Sequence, residues 1–561
     1  MLNRKIFNQQ NRHAARLASI FLVLFLAGCN REQKTEEKVA PKKPNIIFIF
    51  SDDHAYQAIG AYGGKLMPTP NIDRIAHEGA TFTNVFVTNS ICGPSRATLL
   101  TGKYSHLNGY KANEGKFDVN QVLFPRLLRD NGYQTAWVGK WHLGTAPGEA
   151  FDSWTILPGQ GHYYNPDFVT EDDTVRREGY VTDLITEYAE TFLDNRDTTK
   201  PFFLVVGQKA THREWLPDIQ DLGAFDSVSF PLPETFYDDY KGRFAAGDQD
   251  MTIDKTMRLR EDLKVHLDYV PDEKAIAKRR ADLIKSNFGD KKLTPEQENQ
   301  IEQYLRRGAY MRLNATQREK FSAYYDKISK EFDENKLSGK ALVEWKYQRY
   351  LKDYLATARS LDRNVGKILE YVDKHGLAEN TVVVYASDQG FYLGEHGWFD
   401  KRFIYEESLR TPMVARYPGV IEPGSKVNEI IMNVDWAPTM LDIAHTEIPA
   451  DVQGRSFLPL LSKEPLTSPW RDAAYYHYYE FPQPHHVHPH FGLRTMKYKL
   501  VRFYGEKNVW ELYDMQGDPH ELNNIYDAKS SDPEVTALKS RLKQLIEEYK
   551  DQEAADILAK E

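Results

Sequence analysis

Eight side chains suited to acid–base or ligand chemistry follow four apolar runs of the sequence. The runs are residues 45–50, 134–138, 202–206 and 381–386. Each run has the continuous hydrophobic character of a strand that is buried on both faces of a parallel sheet. The side chains that follow them are Asp52, Asp53, Lys140, His142, Lys209, His212, Asp388 and Gln389. Because ligands in open α/β sheets bind beyond the carboxyl ends of the strands, we expect these residues to converge on one site.

Four of these residues carry oxygen donors, namely Asp52, Asp53, Asp388 and Gln389. Carboxylate and amide oxygens suit a hard cation, so the set favours Ca²⁺ and, less strongly, Mg²⁺. An adjacent pair of aspartates can instead cap a helix or a turn. The position of the pair directly after a buried strand favours the metal site.

Helical patterns at 69–78, 124–131 and 350–375 alternate with the apolar runs. This alternation predicts an α/β fold with a sheet layered between helices. Residues 236–346 have few strand-like runs and many charges, which predicts a charged helical insertion with a solvated face.

The pattern changes again from about residue 453. Residues 475–480, 491–495 and 498–503 predict antiparallel strands, and residues 532–560 predict one long polar helix. We therefore expect residues 453–561 to form a small C-terminal α+β subdomain with an antiparallel sheet.

The composition narrows the function classes. The net charge is 72 − 81 = −9, which argues against a general nucleic-acid-binding protein. An acidic chain can still bind an anionic substrate where cations gather in one cleft. The chain has two cysteines, Cys29 and Cys92, so a disulfide scaffold is not expected.

The first 29 residues have the features of an export signal. A basic leader precedes an apolar run at 17–27, which is too short to span a bilayer comfortably. The sequence Leu-Ala-Gly-Cys at 26–29 resembles the lipobox of bacterial lipoproteins, in which the cysteine is lipidated. We expect a lipid anchor at Cys29 as the only membrane attachment, a flexible tether at 30–43, and a location in the periplasm or at the outer membrane or cell surface. The alternative is a plain secretory signal.

Two long segments, residues 90–102 and 132–142, resemble the two signatures of the type I, formylglycine-dependent sulfatase family. The core of the first signature is Cys92, followed by Pro94, Ser95 and Arg96. The resemblance implies an alkaline-phosphatase-like sandwich, with a large central β-sheet between helices and a small C-terminal subdomain. It places the catalytic domain at residues 44–452.

The resemblance also implies that a formylglycine-generating maturation enzyme converts Cys92 to 3-oxoalanine (formylglycine). A sulfate ester is an anion, so the site must supply positive charge before a nucleophile can attack. One hydroxyl of the aldehyde hydrate attacks sulfur, and the other later expels sulfate and regenerates the aldehyde. A structural thiol is the alternative for an isolated cysteine.

The remaining roles are carried over from the family onto matching positions. Arg96, Lys140 and Lys401 are expected around the sulfate, His142 is expected to accept the hydrate proton, and His212 is expected to protonate the leaving oxygen. Lys209 is expected on the substrate side. The residue at position 92 and the four oxygen donors at positions 52, 53, 388 and 389 form the implied Ca²⁺ shell. Gln389 departs from the asparagine of many relatives but keeps an amide oxygen.

Several blocks resemble bacterial N-acetylglucosamine-6-O-sulfatases, namely residues 239–243, 345–348, 390–402 and 475–480. This resemblance implies exo-acting removal of 6-O-sulfate from N-acetylglucosamine in heparan- or mucin-type oligosaccharides. It also makes His396 and His477 candidates for contact with the sugar, and the alternative for His396, which lies in a Gly-rich turn, is a loop-shaping role. The histidines at 485–490 lack the spacing of a helical zinc site and predict a flexible loop near the cleft.

Three alternatives remain open at this point. A sulfatase of the same fold could act on another sulfated polysaccharide, such as an algal glycan. A phosphomonoester or phosphonate hydrolase of the same superfamily is less consistent with the Cys92 signature. A non-catalytic glycan-binding lipoprotein would have lost residues such as Arg96 or His142, and they are present.

Overall fold

The computed structural model describes residues 43–267, 273–287, 293, 297–298, 301, 309–462 and 465–560. The predicted leader, the anchor residue Cys29 and all but the last residue of the predicted tether lie outside the described residues. Among the helices that the structure describes, none is both long and apolar enough to cross a membrane.

The described strands are numbered here along the chain. They are β1 (Asn45–Ser51), β2 (Ala80–Phe82), β3 (Val85–Phe86), β4 (Gln134–Lys140), β5 (Ser153–Leu157), β6 (Asp167–Val169), β7 (Thr174–Arg176), β8 (Phe202–Gly207), β9 (Thr381–Ser387), β10 (Tyr392–Leu393), β11 (Phe399–Asp400), β12 (Met413–Arg416), β13 (Ser425–Val427), β14 (Ile431–Met432), β15 (Ala473–Tyr478), β16 (His490–Thr495), β17 (Tyr498–Phe503) and β18 (Val509–Asp514).

The helices are numbered in the same way. They are α1 (Pro70–His77), α2 (Cys92–Thr101), α3 (Ser105–Asn108), α4 (Phe124–Asp130), α5 (Val181–Asn195), α6 (Phe244–Asp248), α7 (Glu273–Asn287), α8 (Ala315–Asn335), α9 (Gly339–Lys374), α10 (Glu406–Leu409), α11 (Trp436–Ile443), α12 (Leu458–Ser462), α13 (Tyr526–Lys529), α14 (Pro533–Glu548) and α15 (Gln552–Leu558).

The large sheet has the strand order β13-β2-β12-β9-β1-β8-β4-β5-β6-β7 in the described chain. Its centre consists of the four strands that the apolar runs predict, and β9, β1, β8 and β4 pair in parallel with one another. Ile46 of β1, for example, lies opposite Phe203 on one side and Val382 on the other. The predicted α/β architecture is therefore confirmed.

Helices cover both faces of this sheet because successive side chains of its strands point to opposite sides. Ile47 and Ile49 pack with residues of α1, α5 and α9 on one face. Phe48 and Phe50 pack with residues of α2, α4 and α11 on the other. Burial on both faces explains why these strands read as unbroken apolar runs.

The described part of the predicted insertion at 236–346 contains the helices α6, α7 and α8 and the start of α9, but residues 249–267 form turns and loops instead of helix. Its charges are not all solvated, as the sequence pattern suggested, because Asp262 and Lys264 are buried. Asp262 receives two hydrogen bonds from Arg213, in the loop after β8. The segment also meets the loop after β10, where the Tyr240 hydroxyl donates to the carbonyl oxygen of His396.

The C-terminal part contains the antiparallel sheet β15-β16-β17-β18. Three of its strands were predicted, and the fourth, β18, was missed. The single helix predicted at 532–560 is wrong, because the chain breaks into α14 and α15 where Lys550 has a φ of 59°. Phe457 and Leu461 still pack in the core of the large sheet, so the antiparallel sheet begins only at Ala473.

Candidate active site

The four central parallel strands end side by side, and the predicted polar residues lie at those ends. Asp52 and Asp53 follow β1, Lys140 ends β4, and Asp388 follows β9. All of these side chains are buried. The site therefore has the position that the strand ends predict in an open α/β sheet.

Each buried carboxylate is paired with a cation from a different element. Lys140 Nζ, from β4, contacts Asp52 Oδ2. Lys401 Nζ, from the loop after β11, lies 2.7 Å from both carboxylate oxygens of Asp53.

The third carboxylate is held from helix α2. Arg96 NH2 lies 2.9 Å from Asp388 Oδ2, and its NH1 donates to the carbonyl oxygen of Lys140 at 2.8 Å. The guanidinium also lies over the Phe50 ring, 4.8 Å from its centroid. Arg96 thus connects the ends of β4 and β9, and it is completely buried.

Two oxygens in this cluster are buried without a hydrogen-bond partner, Asp52 Oδ1 and Gln389 Oε1. Gln389 uses its amide nitrogen on Asp53 Oδ1, at 2.5 Å, so its oxygen is left free. Unpaired buried oxygens are costly, and carboxylate and amide oxygens are the ligands that a hard cation prefers. The donor set therefore fits a Ca²⁺ or Mg²⁺ ion.

Crowding of the carboxylates changes their titration. Burial, together with the neighbouring Asp52 charge, raises the pKa of Asp388 to about 8 against the opposing effect of Arg96. Burial raises the pKa of Asp53 to about 6, although Lys401 acts in the opposite direction. A divalent cation bound between these groups would favour their ionised forms.

Cys92 is the first residue of α2 and lies completely buried beside the carboxylates. Its Sγ is 3.6 Å from the amide nitrogen of Gln389. One sulfur, carboxylate or imidazole ligand atom from each of Asp52, Asp53, Cys92 and His212 lies within 4.8 Å of the others. Burial, followed by the charge of Asp52, raises the pKa of the Cys92 thiol well above its usual value.

His142 follows β4 and is held by a residue that the sequence did not predict, Gln160. The side-chain oxygen of Gln160 accepts from Lys140 Nζ at 2.5 Å, and its amide nitrogen lies 3.0 Å from His142 Nε2. Because that amide can only donate, Nε2 of His142 is the nitrogen with the lone pair. Burial, and then the charge of Lys140, lower the pKa of His142 well below its usual value, so the imidazole is neutral.

His212 and Lys209 follow β8 and flank the same cluster. His212 donates from Nδ1 to the carbonyl oxygen of Arg213 at 2.6 Å, and its Nε2 lies 3.8 Å from Asp53 Oδ2. Its pKa is well below the usual value because of burial and the charge of Lys140. Burial, together with Lys140, also lowers the pKa of Lys209 to about 8.

His396 and His477, expected near the sugar, have other partners. His396 is completely buried, and its Nδ1 lies 2.7 Å from Asp238 Oδ2. Its φ of 56° fits a loop-shaping role.

The structure corrects the expectation for His477. Its two ring nitrogens bond to Asp551 Oδ2 at 2.6 Å and to the Tyr504 hydroxyl at 2.8 Å, and the side chain is 1% exposed. The arrangement leaves no ring nitrogen for a sugar hydroxyl.

Comparison with protein families gives two matches along this chain. The model described as Sulfatase matches residues 44–446. The model described as N-sulphoglucosamine sulphohydrolase, C-terminal, matches residues 394–548.

Individual relatives give further similarity. An N-acetylglucosamine-6-O-sulfatase of Bacteroides thetaiotaomicron is 45% identical over 94% of this chain and 90% of its own length. An ulvan-active sulfatase of Formosa agariphila is 26% identical over 94% of this chain and 85% of its own length. A solved structure described as a complex with its substrate D-glucosamine-2-N,6-O-disulfate superposes with a TM-score of 0.82. It is 45% identical and covers 91% of this chain and 99% of that one.

Proposed function

This chain belongs to the sulfatase family, and we propose that it removes the 6-O-sulfate from terminal N-acetylglucosamine residues of heparan- or mucin-type glycans. The observation that carries the proposed substrate is the 45% identity to an N-acetylglucosamine-6-O-sulfatase along almost the whole chain. The same identity is found with the structure whose stated substrate is a glucosamine with N- and 6-O-sulfates. The buried cluster of cations and carboxylates supports the chemistry.

Conversion of Cys92 to formylglycine is the proposed source of the nucleophile. The unmodified thiol is poorly suited to this role because burial and the Asp52 charge oppose its ionisation. As a hydrate, the modified residue would supply one hydroxyl for attack on sulfur and a second for release of sulfate. Pro94, Ser95 and Arg96 support recognition of this cysteine by a formylglycine-generating maturation enzyme.

A Ca²⁺ ion is proposed among Asp52, Asp53, Asp388 and Gln389, with the oxygen of the modified residue 92 as a further ligand. The free Asp52 Oδ1 and Gln389 Oε1 support this assignment. When bound, the ion would neutralise sulfate charge and polarise the nucleophilic hydroxyl.

Proposed roles for the remaining residues follow from charge and proton state. Arg96, Lys140 and Lys401 present buried positive charge toward the position of the sulfate. Neutral His142 is able to accept a proton during sulfate release, since its lowered pKa keeps it unprotonated. His212 donates a proton to the leaving alcohol oxygen, and the negative sulfate would raise its pKa and favour the protonated form.

The location of the enzyme is also a proposal. The leader and the sequence Leu-Ala-Gly-Cys at 26–29 support export and a lipid anchor at Cys29. An anchored sulfatase in the periplasm or at the cell surface would meet glycan fragments outside the cytoplasm.

The decisive experiment measures sulfate release from singly sulfated monosaccharides and heparan disaccharides. The full chain is co-expressed with a formylglycine-generating enzyme, and modification of Cys92 is verified by mass spectrometry. Turnover confined to 6-O-sulfated glucosamine derivatives is expected. Turnover only on algal polysaccharides such as ulvan would refute the proposed substrate while keeping the reaction class. Full activity of Cys92→Ala would refute the proposed nucleophile.

A further inference from the structure

A second group of metal-ligand side chains lies in the contact between the insertion and the C-terminal subdomain. Asp248 ends helix α6, and His486 and His488 lie in the loop before β16. One ligand atom from each lies within 4.8 Å of the others. His488 Nε2 is 2.8 Å and His486 Nε2 is 3.5 Å from the same oxygen, Asp248 Oδ2. We propose that these three residues bind a Zn²⁺ ion.

The donor set determines the class of metal. Two imidazole nitrogens and one carboxylate oxygen suit Zn²⁺ and its transition-metal neighbours, whereas Ca²⁺ requires six to eight oxygens. In a tetrahedral site with bonds of about 2 Å, donor atoms lie roughly 3.3 Å apart. The 3.5 Å distance between His486 and Asp248 is already close to this value. At His488 the ion takes the place of the proton on Nε2, and the neutral ring then carries its proton on Nδ1, which is buried without a hydrogen-bond partner among the described residues.

Aromatic neighbours fix the two imidazole rings. The Phe481 ring lies 4.9 Å from that of His486 and 4.8 Å from that of His488, between ring centroids. Phe244 packs against His488 at 4.8 Å. The two imidazoles are inclined at 82° to each other. A ring that is already held loses little freedom when it binds a metal, so the framework favours binding.

The three side chains differ in exposure in a way that suits entry of an ion from solvent. The side chain of His488 is 0% exposed, while those of His486 and Asp248 are 36% and 47% exposed. The buried imidazole forms the floor of the site, and the other two ligands form its rim. Water would fill the fourth position, because the described residues of this group provide three ligand atoms.

The bound ion would connect two distant segments beside the sulfatase site. It fixes the end of α6 to the loop that carries His485. His485 Nε2 lies 3.1 Å from Asp400 Oδ2, and Asp400 precedes Lys401, the partner of Asp53. The zinc site therefore stabilises the segment that presents Lys401, without contributing a reacting group.

The test titrates Zn²⁺ into the full chain by calorimetry, with Ca²⁺ in excess to occupy the oxygen-rich site. We expect one tight site per chain and a rise in Tm of about 2 °C or more at saturating zinc. His486→Ala and Asp248→Asn should each weaken this binding at least ~10-fold, since the first removes an imidazole ligand and the second replaces a carboxylate by a neutral amide. Both positions are partly exposed, so both variants should fold.

His77→Ala is the matched control, because His77 is an exposed histidine on α1. It should bind Zn²⁺ as tightly as the wild type. Equal zinc affinity in the wild type and His486→Ala would overturn the proposal. So would binding that persists in both rim variants but disappears in His212→Ala, since the ion would then occupy the active-site cluster.

Discussion

Gln160 provides the sharpest test of how the site is organised, because it contacts two proposed catalytic groups. Its side chain accepts from Lys140 and donates to His142. Gln160→Ala removes both contacts. A hydrogen bond to a charged group contributes about 1.5–3 kcal/mol, and each 1.4 kcal/mol corresponds to a factor of ten in rate. We therefore expect kcat/KM for sulfate release to fall about 10- to 100-fold.

A second substitution separates a positioning role from simple packing. Gln160→Glu places a carboxylate about 3 Å from His142 Nε2, and an adjacent negative charge raises an imidazole pKa by about 1–3 units. The acidic limb of the pH profile of kcat/KM should move upward accordingly. Gln516→Ala, in an exposed turn, is the matched control. A wild-type rate for Gln160→Ala, with an unchanged profile for Gln160→Glu, would refute the reasoning.

Three further predictions concern protonation and packing. His212→Ala should reduce turnover of sugar sulfates by about 100-fold or more but affect activated aryl sulfates much less, and equal losses would refute an acid role. Glu406 has a pKa lowered from 4.5 to about 2, because its buried ion pairs outweigh the effect of burial. Its ionised form therefore stabilises the fold above pH 4.5, and up to about 3 kcal/mol is lost as the pH falls toward 2. Thermal unfolding of Glu406→Gln should depend less on pH across this range, whereas the exposed control Glu379→Gln should follow the wild type. Gly139→Ala should lower Tm by several degrees for two reasons: the new Cβ would clash with the carbonyl oxygen of Gly207, and the φ of +97° at this position disfavours a residue with a side chain. An unchanged Tm would contradict this packing.

The central fold could be predicted from the sequence because strands that are buried on both faces appear as continuous runs of apolar residues. The runs that form β1, β4, β8 and β9 consist of apolar residues that end in charged or imidazole side chains. The sharp change in polarity marks the carboxyl edge of the sheet, where the structure gathers these residues. Helix α9, predicted from residue 350, begins at Gly339, and Val343 and Trp345 in its first turns pack in one cluster with Phe332 of α8.

Contacts between residues that are far apart in the sequence produce no comparable local pattern. Gln160 follows β5, whose first three residues are exposed or half-buried, so no continuous apolar run precedes Gln160 in the sequence. His477 looked available for a sugar, but its partner Asp551 lies 74 residues away and cannot be inferred from spacing. The sequence predicts a loop for the histidines at 485–490, yet His490 lies in β16 and its Nε2 accepts from the backbone N–H of Ile404. The third ligand of the proposed zinc site, Asp248, belongs to the insertion.

The charge of the proposed sulfatase site explains how an acidic protein can bind an anionic ester. The carboxylates of Asp52, Asp53 and Asp388 contribute −3 when ionised, and Arg96, Lys140 and Lys401 contribute +3. These six groups therefore balance one another. Lys209, which flanks them, adds +1 when protonated, and a Ca²⁺ ion would bring the sum to −3 + 3 + 1 + 2 = +3. Substrate affinity should consequently depend more strongly on the bound metal than the stability of the fold does. Removal of divalent cations should raise KM for sulfate esters while the large sheet, whose core is apolar, stays folded.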